Sequence, residues 1–363
     1  MIKFLDRPAG HGKTSDLLTN FEAEKHYFVV VNARSEINRF LNEACVPFST
    51  PEPREYTDRK GKKRVSLKPH LRELVRDSSN IVISHKLFDE INIREFDLSM
   101  YHLIIDEVFN CVQYKSGPKA EDFTKTYIEG GLATVQEDGK VIPTDKWKLQ
   151  GDEAYKHNLL YDAIIGRLYV ASDGFYVSVV PISLFTSARS CLILTYLAEG
   201  SLMMMFLRSH GIIPEIDCDE EVDKAARQRA KQLLSITVFD AGIGALGYAR
   251  QGDLNMKHQR PRLEKLWKRL KSLRCNQLKG VPIDQIMLTC RKDLWFDRNN
   301  LPTNFAKSSK LSKARWCHKS TKGTNKFQEC THAVHVYQLN LNPSIAKFLN
   351  VDDLKEKEWR NQK

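Results

Sequence analysis

Apolar residues in the first half of the chain fall in short β-rich runs separated by longer stretches of mixed character. Residues 2–5, 27–31, 80–84 and 101–105 are each too short for a helix and too apolar for a strand with a wet face. Runs of this kind, bounded by polar residues, mark strands buried on both faces, as in a parallel sheet with crossover helices. Crossovers are predicted after Lys13 and over a helix carrying Ile37, Phe40 and Leu41 at helical spacing. A basic loop follows, with Arg54, Arg59, Lys60, Lys62, Lys63 and Arg64 around Gly61. From about 112 to 188 the rhythm breaks. Gly130-Gly131 and Asp138-Gly139 signal turns, and 168–180 alternates like a hairpin around Asp173-Gly174. This reads as an insertion. The sheet pattern resumes at 191–195, followed by a helix over 202–207, a strand near 212–216 and a helix over 223–234 rich in Ala, Arg and Lys. A second region, starting near 236, is expected to hold a basic helix at 258–274 and its clearest strand at 283–289. The predicted organisation is α/β, with 1–235 as one lobe, interrupted at 112–188, and 236–363 as a second, shortened lobe.

Composition adds little to that pattern. A length of 363 residues suits two domains, and 42% hydrophobic with 28% charged residues is ordinary for a globular protein. The longest apolar stretches, such as 191–198, fall short of the roughly 20 residues that span a bilayer. The chain enters its first strand at once, so neither a leader nor a membrane partner is expected, and the expected location is the cytoplasm. Eight scattered cysteines without a CxxC pair are expected to stay reduced. Cys317, His318, Cys330, His332 and His335 lie close together but fit no standard zinc spacing, so ordinary buried or surface side chains are expected there.

Charge changes the picture more. The net charge is +11, yet 19 Lys/Arg face only 4 Asp/Glu between Lys257 and Lys326, an excess of 15 that leaves the remainder mildly acidic. Positive charge concentrated in one region is the footprint of a polyanionic partner, most simply nucleic acid. A solvated basic helix would be the bland reading of 258–274 alone.

Two motifs carry chemistry. Gly10-His11-Gly12-Lys13-Thr14, with Ser15 after it, lies between a predicted strand and a predicted helix. Closely spaced glycines let backbone N–H groups turn inward around phosphate oxygens, Lys13 is placed to reach the outer phosphates, and Thr14 to ligate Mg²⁺. The opening glycine of the full phosphate-loop pattern is Arg7 here. About 90 residues on, the apolar run Leu103-Ile104-Ile105 ends in Asp106-Glu107. An Asp at such a strand end holds Mg²⁺, and the following Glu polarises an attacking water. Together they predict a P-loop nucleoside triphosphatase with a parallel sheet, using a nucleoside triphosphate and Mg²⁺. A third pattern, Gly242-x-Gly244-x-x-Gly247, matches a dinucleotide fingerprint after a strand-like run at 235–239. It is followed by a basic helix rather than an acid-tipped strand, so a turn between lobes is expected.

With these residues the chain resembles superfamily 2 helicase-like ATPases of the DEAD/DEAH type, particularly those of bacteriophages. Asp106-Glu107-Val108-Phe109 occupies the place of the DExx box, and residues 31–34, ending in Arg34, resemble motif Ia, which contacts DNA. Ile83-Ser84-His85-Lys86 is similar to a Thr-His-Lys run before the DExx strand, and Leu194-Thr195-Tyr196-Leu197 sits where motif III couples ATP to nucleic acid. Residues 286–292 resemble the opening of the second lobe, with Arg315-Trp316 and Lys322-Gly323-Thr324-Asn325 near motif V. The resemblance implies RecA-like lobes, ATP as the nucleotide, and an ATP-dependent helicase or translocase, with DNA favoured over RNA. Arg34, Lys86, Lys265, Lys268, Arg269 and Lys271 are expected to touch the nucleic-acid backbone. Six residues precede Arg7, so no Q motif is expected, and no counterpart of the arginine-rich motif VI is expected after the motif V stretch. Slow hydrolysis is then expected, as in an ATP-gated switch or clamp, unless a second protomer or partner supplies the arginine. Arg360 is the arginine of the tail to exclude.

Overall fold

The structure, a computed structural model, describes residues 1–57, 61, 63–151, 158–171, 175–238, 260–318, 321, 326–336 and 343–349. In chain order the strands of its first half are β1 (Ile2–Asp6), β2 (His26–Val31), β3 (Arg54–Thr57), β4 (Lys63–Ser66), β5 (Ile81–Ser84), β6 (Tyr101–Asp106) and β7 (Val112–Lys115). They are followed by β8 (Ala133–Val135), β9 (Val141–Pro143), β10 (Leu168–Ala171), β11 (Phe175–Val179), β12 (Ser190–Thr195) and β13 (Glu215–Cys218). The last three are β14 (Ile286–Thr289), β15 (Arg315–Cys317) and β16 (His332–His335).

Six strands form one sheet in the order β13-β1-β12-β6-β2-β5, with every pairing parallel. Their side chains alternate between two separate cores. Phe28 and Val30 of β2 join one, and Tyr27, Val29 and Val31 the other. That is why β2 is apolar at successive positions, Tyr27 to Val31, rather than at every second one. The order brings the C-terminal ends of β1 and β6 within one strand of each other, with β12 between. At the usual spacing their backbones end roughly 10 Å apart, which two side chains can bridge.

The stretch 112–188 holds a three-stranded antiparallel sheet, β10-β11-β7, and the β8–β9 hairpin, over a core that includes Phe123, Tyr127, Trp147 and Tyr176. The β10–β11 turn carrying Asp173 and Gly174 lies outside the described residues. Arg167, almost fully buried, is held by Asp89 at 2.5 Å and by the Val179 carbonyl at 3.2 Å.

The chain divides into two compact units, the first running over Met1–Ala230 and the second beginning at Lys231. In the second unit β14 lies between β15 and β16, both parallel to it. Leu266 and Leu270 of the helix Arg260–Asn276 pack with Ile286, Leu288, Trp295 and Phe305 into its core.

Five expectations need correction. The C-terminal helix Pro343–Phe348 belongs to the first unit, because Ile345, Phe348 and the buried Leu349 pack on its larger core and Phe348 meets Tyr169 edge-on. The basic loop at 54–64 contains the antiparallel β3–β4 pair. The strand near 212–216 is β13 at Glu215–Cys218, since Pro214 cannot donate to a ladder. Of the strand-like run at 235–239, the described residues 235–238 form no strand, with Ile236 and Val238 left 84% and 92% exposed. Finally, 283–285 is a turn of 3₁₀-helix, and only Ile286–Thr289 is strand.

Candidate functional site

β1 ends at Asp6, and the helix Lys13–Thr19 starts after a loop containing Gly10 and Gly12. Both glycines are left-handed, with φ of 81° and 76°, a conformation that a side chain would strain. The loop's surface is open at Gly10 and His11, and nothing occupies the space where a Gly10 Cβ would stand. Lys13 turns back over the loop, its Nζ donating to the carbonyls of Arg7 at 2.8 Å and Pro8 at 3.2 Å. Arg7 is engaged elsewhere, its guanidinium donating to the backbone and carboxylate of Asp217 on β13, both at 2.8 Å. Ser15 is exposed and accepts a hydrogen bond from Arg39 at 2.7 Å.

From the other side comes the end of β6. The Thr14 hydroxyl donates to the Asp106 carboxylate, 3.2 Å from Oδ1 and 3.4 Å from Oδ2, joining residues 92 positions apart. Asp106 is 9% exposed, and burial, with the Glu107 charge added, pushes its carboxyl up to about 6 despite the Thr14 hydroxyl and the Lys13 ammonium. Burial pulls the Lys13 ammonium below its ordinary range, while Glu107, Asp106 and Asp6 act against that. Glu107 itself has φ 72°, a rare conformation for a residue with a side chain. Its N–H donates to the Leu194 carbonyl of β12 at 2.9 Å. His85 Nε2 lies 3.0 Å from the Asp106 carbonyl oxygen and its ring tilts against Phe109. The site is thus an exposed glycine loop, an ammonium and a set of carboxylates gathered at three adjacent strand ends.

Sequence reasoning missed Asp6. Its two carboxylate oxygens accept the N–H groups of Leu197 and Ala198 at 2.8 and 2.9 Å, pinning the turn after β12 to the start of the glycine loop. Its only signal was an acid at the end of an apolar strand. Thr14 and Asp106 offer the hard oxygen donors that Mg²⁺ takes. Among the described residues no group of three or more His, Cys, Asp or Glu is placed to hold a metal by itself. One carboxylate and one hydroxyl suit an ion that keeps most of its waters and shares phosphate oxygens with a substrate.

Residues 215–359 match the family described as the YonV C-terminal Rossmann-like domain, which covers β13 and most of the second unit. No curated protein matches the chain. Among solved structures the chain is similar to Xpd4 of S. tokodaii, at 11% identity and a TM-score of 0.37, over 98% of this chain and 84% of that one.

The expected nucleic-acid contacts are not part of this cluster. Arg34 begins the helix Arg34–Glu43 and Lys86 lies in the helix His85–Asp89, both exposed. Lys265, Lys268, Arg269 and Lys271 are exposed on the helix Arg260–Asn276, opposite buried Leu266 and Leu270, and Lys268 lies 5.8 Å from the Trp267 ring centre. Of the arginines considered for a phosphate, Arg291 pairs with Asp293 at 2.7 Å and Arg315 with Glu329 at 2.8 Å. Arg360, Gly242, Gly244, Gly247 and the run Lys322–Asn325 lie outside the described residues. No described helix is long and apolar enough to cross a membrane.

Proposed function

We propose that the chain is a P-loop nucleoside triphosphatase of helicase type that couples ATP to work on nucleic acid, with DNA the favoured partner. The observation that carries this reading is the Thr14–Asp106 contact, which joins the glycine loop to the acidic strand end through side chains suited to one hydrated metal ion. Backbone N–H groups of the loop at Gly10, His11 and Gly12 receive phosphate oxygens. Lys13 exchanges the Arg7 and Pro8 carbonyls for the outer phosphates, so that its ammonium meets charged rather than neutral acceptors. Thr14 and Asp106 would hold Mg²⁺, which would supply positive charge to neutralise the phosphates. Glu107 orients the attacking water and accepts its proton, from a backbone position held by the Leu194 carbonyl. Exposed Arg34, Lys86, Lys265, Lys268, Arg269 and Lys271 contact the nucleic-acid backbone.

Nucleotide binding and turnover, measured on two variants, test the assignment. Lys13→Ala is expected to lose ATP binding. Glu107→Gln is expected to keep binding and lose turnover, because the metal ligands remain. Wild-type ATP affinity in Lys13→Ala would remove the reading, and equal loss of binding in both variants would mean the two roles are misassigned.

A further inference from the structure

The β3–β4 hairpin has no part in the site described above, and its composition is unusual for an element so poorly packed. Seven of its eight strand residues are exposed and Ser66 is half-buried, so neither face belongs to a core. A two-stranded hairpin with no apolar face is marginally stable and adds little to the fold. Its sequence is strongly cationic: residues 54–66 hold six Lys/Arg against Glu55 and Asp58.

The register sorts these side chains. Arg54 pairs with Ser66 and Tyr56 with Arg64, so these four share one face, while Glu55 with Val65 and Thr57 with Lys63 take the other. One face therefore presents an exposed aromatic ring between two guanidinium-bearing positions, with the acid of β3 turned to the opposite side. Tyr56 is 43% exposed. An uncovered aromatic flanked by arginines matches the chemistry of an unpaired base and its phosphates, since every base offers a stacking face once it leaves a duplex. A duplex would use the cations and leave the ring idle, because its base faces are already stacked.

We propose that the β3–β4 hairpin is a contact surface for single-stranded nucleic acid, on which a base stacks against Tyr56 while Arg54 and Arg64 hold the neighbouring phosphates. The inference rests on the nucleic-acid partner proposed above, and not on the nucleotide reaction.

Anisotropy of a labelled oligo(dT), titrated with the full nucleotide-free chain, tests it. Tyr56→Ala is expected to weaken binding about tenfold and Tyr56→Phe to keep it. Arg54→Gln is expected to lower the slope of log affinity against log salt by about one. All three should melt like the wild type, since the substituted side chains are exposed. ATP affinity, measured on the same variants, should be unchanged, which separates this surface from the nucleotide site. Duplex DNA should bind equally to wild type and Tyr56→Ala. Three results would overturn the inference: no binding of oligo(dT) by the wild type at low salt, unchanged binding by Tyr56→Ala, or competition by poly-glutamate as effective as by unlabelled oligo(dT).

Discussion

At Asp106 the structure holds a carboxylate where a carboxylate is costly. Its folded-state value of about 6 lies above the ordinary 3.8, so the folded protein binds the proton more tightly than the unfolded chain does. Stability is therefore lost as pH rises from about 4 to about 6, and the full penalty, up to about 3 kcal/mol, applies at neutral pH. In metal-free protein, Asp106→Asn is expected to melt higher than wild type at pH 8, with the difference gone at pH 4. Equal melting at pH 8 would refute the account of burial. A second local cost is the left-handed backbone of Glu107. Lys13, Thr14, Asp106 and Glu107 were legible in the chain because their spacing and the apolar run before them are local. Asp6 was not, because its partners are 191 and 192 residues away.

Among the elements, legibility followed burial. β1, β2, β6 and β12 are mostly apolar because both faces are covered over most of their length, and each was evident as a run. The β3–β4 hairpin escaped because exposed strands held by cross-strand backbone bonds leave no hydrophobic period to read. The helix Arg260–Asn276 was evident for the opposite reason, its leucines and lysines falling on separate faces. That separation makes its charge and its packing independently removable. Changing Lys265, Lys268, Arg269 and Lys271 together to Gln is expected to flatten the salt dependence of DNA binding while leaving the unfolding of the second unit within about 1 kcal/mol. Leu270→Ala, fully buried on the same helix, is expected to destabilise that unit by about 2–5 kcal/mol. An unchanged salt slope in the fourfold variant would return these four cations to a plain solvated face.

For the molecule as a whole, the division into units does not follow the order of the chain. The first unit is made mostly of the first 230 residues, yet it takes back Ile345, Phe348 and Leu349 after the second unit has been completed. Leu349→Ala is expected to cost about 2 kcal/mol, the low end for a buried leucine near a chain end. Hydrogen exchange locates the damage: peptides over 168–171 and 175–179 should exchange faster, and those over 286–289 should not. The reverse pattern would assign the helix Pro343–Phe348 to the other unit. This connectivity bears on how genetic lesions in the chain are interpreted. A nonsense codon just after Val336 leaves every described strand of both units encoded, and looks like the trimming of a tail. It nevertheless removes a buttress from the half of the protein translated first, so a defect at the glycine loop in such an allele is no proof that the second unit reaches that loop.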